Sequence, residues 1–226
     1  MGESLGRCAE FFRDRGIQGE IILADDGSTD ATADTFHRAK IAHSRLGLTF
    51  KVLRLPHRGK GAAVRAGVEA ATGDPIVFLD ADLTIPVEIV DLFNGALETG
   101  ADIAIASRYV PGSVVDRPWW RRVMGDVFRG VVHLLVPTGI RDTQCGGKMY
   151  TAEAAKDLFA RQRLDGFSFD AEVLFLARRA GYKVREIPFA LRQHNDTRID
   201  FLADTPKMLR DLFVIRLNAM RGLYGR

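Results

Sequence analysis

Pro75-Ile76-Val77-Phe78-Leu79-Asp80-Ala81-Asp82 is an apolar run closed by two carboxylates. Side chains two apart on a strand share a face. If the extended backbone continues past Leu79, Asp80 and Asp82 converge at the strand's carboxyl end, where open α/β sheets take ligands. Two hard oxygen donors there suit Mg²⁺ or Mn²⁺, and such a cation suits a diphosphate. Acidic residues two apart arise by chance about once in a chain of this composition, so the setting must supply the weight.

Working outward, the strand-end pattern repeats. A buried strand over residues 20–24 runs into Asp25-Asp26-Gly27-Ser28-Thr29-Asp30. One reading puts a carboxylate at the strand tip, accepting from a nucleobase N–H or a ribose hydroxyl. The other is a tight turn at Gly27 with Ser28, Thr29 or Asp30 capping the next helix, which leaves Asp25 and Asp26 free. After a strand over residues 50–55, Arg58-Gly59-Lys60-Gly61 opens a helix. Glycines let backbone approach a ligand, and a lysine beside a helix N-terminus attracts phosphate. The spacing is not that of a P-loop. In a parallel sheet these three strand ends share one rim.

Helices are expected over residues 5–15, 30–45, 61–71, 86–98, 119–136, 151–159, 170–179 and 205–223. Further strands are expected over residues 76–79, 103–107 and 184–187. The alternation in the first half predicts an α/β fold with a parallel, doubly wound sheet. The chain has 226 residues, 46% of them apolar, enough for one sizeable domain. A net charge of +3 is too mild to imply nucleic-acid binding. Cys8 and Cys145 make neither a disulfide framework nor a zinc spacing, which predicts a reducing compartment. No signal peptide and no run of about 20 uncharged apolar residues is visible.

Two segments bear on membranes. Between Trp120 and Leu135 apolar residues recur at 120, 123, 124, 127, 128, 131, 134 and 135, one face of a helix. Arg122, Asp126, Arg129 and His133 lie on the other side. Such a helix either lies in a membrane surface or packs on the sheet. Residues 204–226 form a basic amphipathic helix, fit for an anionic lipid surface or for packing on the domain.

The ordered set of motifs resembles family 2 glycosyltransferases of the GT-A fold, a Rossmann-like, mostly parallel sheet with helices on both faces. Within that family it is most similar to the polyprenyl- or dolichyl-phosphate sugar synthases, especially the dolichyl-phosphate β-glucosyltransferase type. Asp25-Asp26-Gly27-Ser28-Thr29-Asp30 looks like the family's nucleotide-binding turn, Gly59-Lys60-Gly61 its second donor element and Phe78-Leu79-Asp80-Ala81-Asp82-Leu83 its metal motif. Ser107-Arg108 also matches. Arg141-Asp142-Thr143-Gln144-Cys145-Gly146-Gly147-Lys148 resembles the Asp-Thr-Gln-Cys-Gly-Phe-Lys signature, with Gly147 replacing the usual aromatic, and Phe169-Asp170-Ala171-Glu172 the Phe-Asp-x-Glu segment. The family opens with a strand and a Pro-x-x-Asn-Glu motif. Met1 falls where that motif's helix begins, so a single GT-A domain over residues 1–226, truncated at its N-terminus, is expected.

The resemblance implies inverting transfer of a hexose to a polyprenyl or dolichyl phosphate. UDP-glucose is the preferred donor and GDP-mannose the runner-up. It assigns the donor to Asp25, Asp26, Lys60, Asp80, Ala81 and Asp82, and the metal, Mg²⁺ or Mn²⁺, to Asp80 and Asp82. Asp82 and Arg108 would carry the chemistry. Arg108, Arg121, Arg122, Gln144, Lys148 and Arg198 are candidates for the acceptor side, with Arg121 and Arg122 competing for one role. Asp170 and Glu172 read either as an acid pair or as groups positioning others, and the second is favoured because a phosphate nucleophile needs no strong base. Cys145 reads as a packed residue. Peripheral attachment to the cytoplasmic face of a membrane is expected. The alternatives are a family 2 transferase with a soluble or glycan acceptor, and a catalytically impaired protein that binds nucleotide sugars.

Overall fold

The computed structural model describes residues 2–28, 36, 48–115, 118–191 and 201–225, the side chains of Arg121, Leu191 and residues 201–204 excepted. In chain order these form α1 (Gly2–Asp14), β1 (Glu20–Asp25), β2 (Thr49–Arg54), α2 (Lys60–Ala70), β3 (Ile76–Leu79), α3 (Ile89–Glu98) and β4 (Ile103–Ser107). There follow β5 (Val114–Val115), α4 (Trp119–Leu135), β6 (Gly147–Tyr150), α5 (Ala152–Arg161), α6 (Phe169–Ala180), β7 (Val184–Pro188), β8 (Ala190–Leu191) and α7 (Phe201–Met220). The helix expected over residues 30–45 lies outside the described residues, apart from the buried Phe36.

β4 is buried along its whole length, and its alternation organises the molecule. Ile103 and Ile105 point into a core shared with Val132 of α4, Val136 just beyond it, Leu158 and Phe159 of α5, Leu174 of α6 and Leu212 of α7. Ala104 and Ala106 point the other way, toward Phe11 of α1 and Val90 and Phe93 of α3. The period-2 rule thus sends helices to both faces of one sheet. The ladder runs β3-β6-β4-β7, with β7 parallel to β4 and β6 antiparallel to both its neighbours. The antiparallel β6, which the sequence pattern did not mark as a strand, makes the mostly parallel sheet a mixed one.

Local chemistry sets the element ends. The Thr151 hydroxyl accepts from the Ala154 N–H at 3.3 Å and caps α5. Gly181, at φ 82°, closes α6 in the left-handed region. Pro86 does not open α3 as expected. Residues 86–88 form a tighter turn, with the N–H groups of Ile89 and Val90 donating to Pro86 O and Val87 O, and α3 starts at Ile89.

β1 and β2 form a separate parallel ladder. Among the described residues no ladder bond joins it to β3. Ile21 to Ala24 are accordingly half-buried, although strands covered on both faces are normally fully enclosed. α2 packs on β1, and Glu20 ties the ladder to the turn beyond α2. Its carboxylate pairs with Lys51 at 2.6 Å and accepts from the Thr72 N–H and hydroxyl at 2.5 and 2.8 Å. Burial pushes the carboxyl up, but Lys51 and Thr72 outweigh it and hold the pKa at about 2. A depressed carboxylate stabilises the fold above its unfolded pKa of about 4.5 and loses that contribution as pH falls through about 2. Glu20→Gln is therefore expected to cost about 1 kcal/mol near pH 6. Denaturant titrations should show the gap narrowing steadily below about pH 4.5. A gap that stays constant down to pH 3 would remove the Glu20 ion pair from the acid response.

Candidate active site

The rim is built from the carboxyl ends of β1, β3 and β4 and from the N-terminus of α2. The extended backbone does not continue past Leu79. Leu83, at φ 48° and with its side chain in the core, bends the chain so that its N–H donates back to Asp80 O at 2.9 Å. Asp82 is therefore presented from a turn, and its Oδ1 accepts from the Thr84 N–H at 3.0 Å. Asp80 and Asp82 share the rim through this turn and not through strand alternation. Ala81 is exposed between them.

Asp80 is fixed from two sides. Its N–H donates to Gly146 O at 3.1 Å, and a Cβ added at residue 146 would lie 1.9 Å from Asp80 Oδ2. Only glycine leaves that carboxylate its place. The other oxygen, Oδ1, pairs with Lys60 Nζ at 2.7 Å. Burial opposes the Lys60 charge, but Asp170 and Asp80 outweigh it and raise the pKa.

Asp25 and Asp26 reach the rim with different roles. The buried Asp25 accepts from the Ser28 N–H at 2.9 Å and closes its own turn. Asp26 accepts from the N–H groups of Arg58 and Gly59 at 2.8 and 2.9 Å, and His57 Nδ1 lies 2.9 Å from its carboxylate. It thus pins the glycine-rich loop that delivers Lys60. Asp165, which the sequence reading did not single out, secures the same loop from the far side. Its carboxylate binds Arg58 and Arg65, and its carbonyl lies 2.6 Å from where a Gly59 Cβ would stand.

Arg108 forks onto the buried Asp142 through Nε and Nη2, both at 2.8 Å, and its own N–H donates to the same carboxylate at 2.9 Å. Burial works against both charges. Each partner overcomes it for the other, so the Arg108 pKa rises and the Asp142 pKa falls. The fork expected to grip an acceptor phosphate is therefore already engaged. Glu186 of β7 accepts from the N–H groups of Arg141 and Asp142 at 3.0 and 3.1 Å and anchors this loop.

Lys148 is not on an acceptor surface. It is fully buried on β6, donating to Asp170 at 2.6 Å and to Cys145 O at 2.5 Å, because its position between β3 and β4 faces the sheet interior. Asp170 and Glu172 do not form an acid pair. Two residues apart on α6 they point to different partners. Asp170 meets Lys148, while Glu172 accepts from the N–H groups of Arg163 and Leu164 and from the Tyr224 hydroxyl at 2.6 Å. Burial raises both carboxyls above their ordinary range. Cys145 is packed as expected, its thiol pushed up to about 12 by burial. Gln144 is half-buried beside it, and Arg122 stands exposed on α4. The side chain of Arg121 and all of Arg198 lie outside the described residues.

α4 borders the Arg108 end of the rim, where the Arg129 guanidinium lies 4.2 Å from the centre of the Tyr109 ring. Its C-terminal half packs on the core through Val132, as does Val136 just beyond it, but Trp119, Trp120, Val123, Met124 and Val127 are exposed. On α7, which contacts α4, Phe213, Leu217 and Met220 are exposed on one stripe. No helix among the described residues is long and apolar enough to cross a membrane. Nor, among those residues, does any group of three or more His, Cys, Asp or Glu stand ready to hold a metal alone.

A family model described as glycosyl transferase family 2 matches residues 2–159. The chain is 33% identical to glycosyltransferase AglD of Haloferax volcanii over 82% of its own length and 29% of that protein. It is 30% identical to the dolichyl-phosphate β-glucosyltransferase of Saccharomyces cerevisiae, covering 92% of this chain and 67% of the relative. The chain thus spans under a third of the first relative and about two thirds of the second. Among solved structures, the glucosyl-3-phosphoglycerate synthase of Mycobacterium tuberculosis with Mn²⁺, UDP and its product aligns at a TM-score of 0.56. The identity is 21%, over 88% of this chain and 68% of that one.

Proposed function

The chain belongs to glycosyl transferase family 2 and has the GT-A fold, and from that premise we propose that it transfers glucose from UDP-glucose to dolichyl or polyprenyl phosphate, with inversion and with Mg²⁺ or Mn²⁺. The observation that carries the donor half is the fixed Asp80 carboxylate, set between Gly146 and Lys60 on the rim that also holds Asp26. The donor set fits a hard cation. Asp80 and Asp82 offer oxygens, and a Mg²⁺-like ion held by one or two carboxylates takes its remaining ligands from phosphate and water. Bound there, the metal supplies neutralisation of the departing diphosphate.

The protein's own groups do the rest. Asp26 holds the Arg58-Gly59 backbone so that Lys60 enters at the start of α2, where a cation and a helix N-terminus both favour phosphate. Asp142 keeps Arg108 charged and rigid, so any contact from Arg108 to an acceptor phosphate comes from the guanidinium edge that Asp142 leaves open. A lipid phosphate is already anionic near neutral pH, and no buried base is required to activate it. The glucosyl donor and the dolichyl phosphate acceptor are favoured by the likeness to dolichyl-phosphate β-glucosyltransferases over most of the chain.

The acceptor's hydrocarbon tail needs an apolar neighbour, and the exposed face of α4, which borders the Arg108 end of the rim, offers one that continues onto α7. Arg122, Arg210, Arg216 and Arg221 are exposed around them, which suits anionic lipid and peripheral attachment to a cytoplasmic membrane face. Val123→Asp with Val127→Asp, two exposed positions, is expected to cut co-sedimentation with vesicles containing anionic lipid at least fivefold while thermal unfolding stays put. Unchanged vesicle binding would take α4 out of the membrane contact.

The whole assignment is tested by incubating the protein with Mn²⁺, radiolabelled UDP-glucose or GDP-mannose and either a short polyprenyl phosphate or a soluble phosphate such as 3-phosphoglycerate, with UDP binding measured in parallel. Label in the lipid phase from UDP-glucose is the expected result. Transfer only from GDP-mannose would replace the donor, and transfer only to a soluble phosphate would replace the acceptor. Binding of UDP without any turnover would make this a nucleotide-sugar-binding protein.

A further inference from the structure

Given the donor site proposed above, we infer that Lys60 guards Asp80: its ammonium neutralises the carboxylate until a nucleoside diphosphate draws it away, so a divalent metal is disfavoured alone and admitted with the nucleotide.

The Asp80 side chain is 40% exposed, with Lys60 on one carboxylate oxygen and Gly146 beside the other. Oδ2 lies beside Gly146, where a Cβ would stand 1.9 Å away, so the missing side chain lets the carboxylate keep its orientation. Oδ1 is held by Lys60 Nζ at 2.7 Å. A divalent cation on Asp80 would stand beside the Lys60 ammonium and be repelled by it unless the lysine moves. Lys60 is on a flexible stem and can move. The nearest other anion, the buried Asp170, is already paired with Lys148 at 2.6 Å. Lys60 and Lys148 also flank one ring, at 6.0 and 5.2 Å from the centre of Phe78.

The charges state the same constraint. Asp80 and Asp170 face Lys60 and Lys148, two carboxylates against two ammoniums, in balance before any metal arrives. A bare divalent cation adds two positive charges to this half-buried cluster, with Asp82 as the motif's remaining carboxylate to answer them. A diphosphate brings its own negative charge and gives Lys60 oxygen acceptors beside the start of α2. Metal and nucleotide affinities are then coupled, and the coupling is reciprocal. Lys60 is thereby a positioning residue that sets the order of loading, in addition to any contact with phosphate.

The test is titration calorimetry with Mn²⁺ on the full chain, with and without saturating UDP. Wild type is expected to bind Mn²⁺ at least about tenfold more tightly with UDP present. Lys60→Met is expected to tighten binding of Mn²⁺ alone about tenfold and to shrink the gain from UDP to threefold or less. Lys60→Gln, a milder change should the first variant not fold, is expected to act in the same direction, and Lys60→Arg to keep the wild-type pattern. If both neutral variants bind bare Mn²⁺ no better than wild type, Lys60 does not guard Asp80. If wild type binds no Mn²⁺ even with UDP and neither neutral variant does, the metal-site assignment itself fails.

Discussion

Asp80→Asn is expected to lower glycosyl transfer at least 100-fold, the scale on which removing one preorganised charge-stabilising group acts. The amide cannot offer a second anionic oxygen to a hard cation, and it leaves the departing diphosphate without its neutralising partner. Folding should survive. Asp80 is half-exposed, its ion pair with Lys60 lies at the surface, and such pairs contribute roughly 1 kcal/mol or less. Turnover and thermal unfolding measured on the same preparation separate the two effects. Asp82→Asn is expected to follow it in activity with even less structural consequence, since among the described residues its carboxylate accepts from the Thr84 N–H alone. Turnover within threefold of wild type for Asp80→Asn would move the metal elsewhere.

The largest stability effect is expected at Lys148. Lys148→Met leaves the carboxylate of Asp170 buried without its partner, a change that costs about 3–5 kcal/mol in comparable sites. It also strips the Cys145 carbonyl of its donor. Replacing both partners, Lys148→Met with Asp170→Leu, should recover much of the loss, because well-packed apolar pairs of similar volume often match a buried ion pair. Denaturant midpoints at constant slope read this directly. A single variant within 1 kcal/mol of wild type would mean that Asp170 simply takes a proton, a route its burial favours.

Much of this architecture was legible in the sequence, for identifiable reasons. The runs at residues 76–79 and 103–107 are apolar, short and bounded by turn residues, and both are strands with the expected limits. Thr151 and Gly181 carry their helix boundaries in their own side-chain and backbone chemistry. β6 was not legible. Gly147-Lys148-Met149-Tyr150 has a glycine and a lysine in four residues, a composition that argues against a central strand until the lysine's buried partner is known.

The site divides along the same line. Which residues gather at the rim follows from strand ends, so Asp25, Asp26, Lys60 and Asp80 could be named together. What each side chain holds depends on segments distant in sequence. Arg108 meets Asp142, Lys148 meets Asp170, and Asp165 reaches back about a hundred residues to Arg58 and Arg65. No local pattern announces such a pairing. Asp142 and Gly146 did stand inside a recognised signature, and their roles became readable only once Arg108 and Asp80 were seen against them.

The crowding at residue 146 limits how this chain can drift. Any side chain arising there by mutation would strike the Asp80 carboxylate, so the glycine and the aspartate can be exchanged only as a couple.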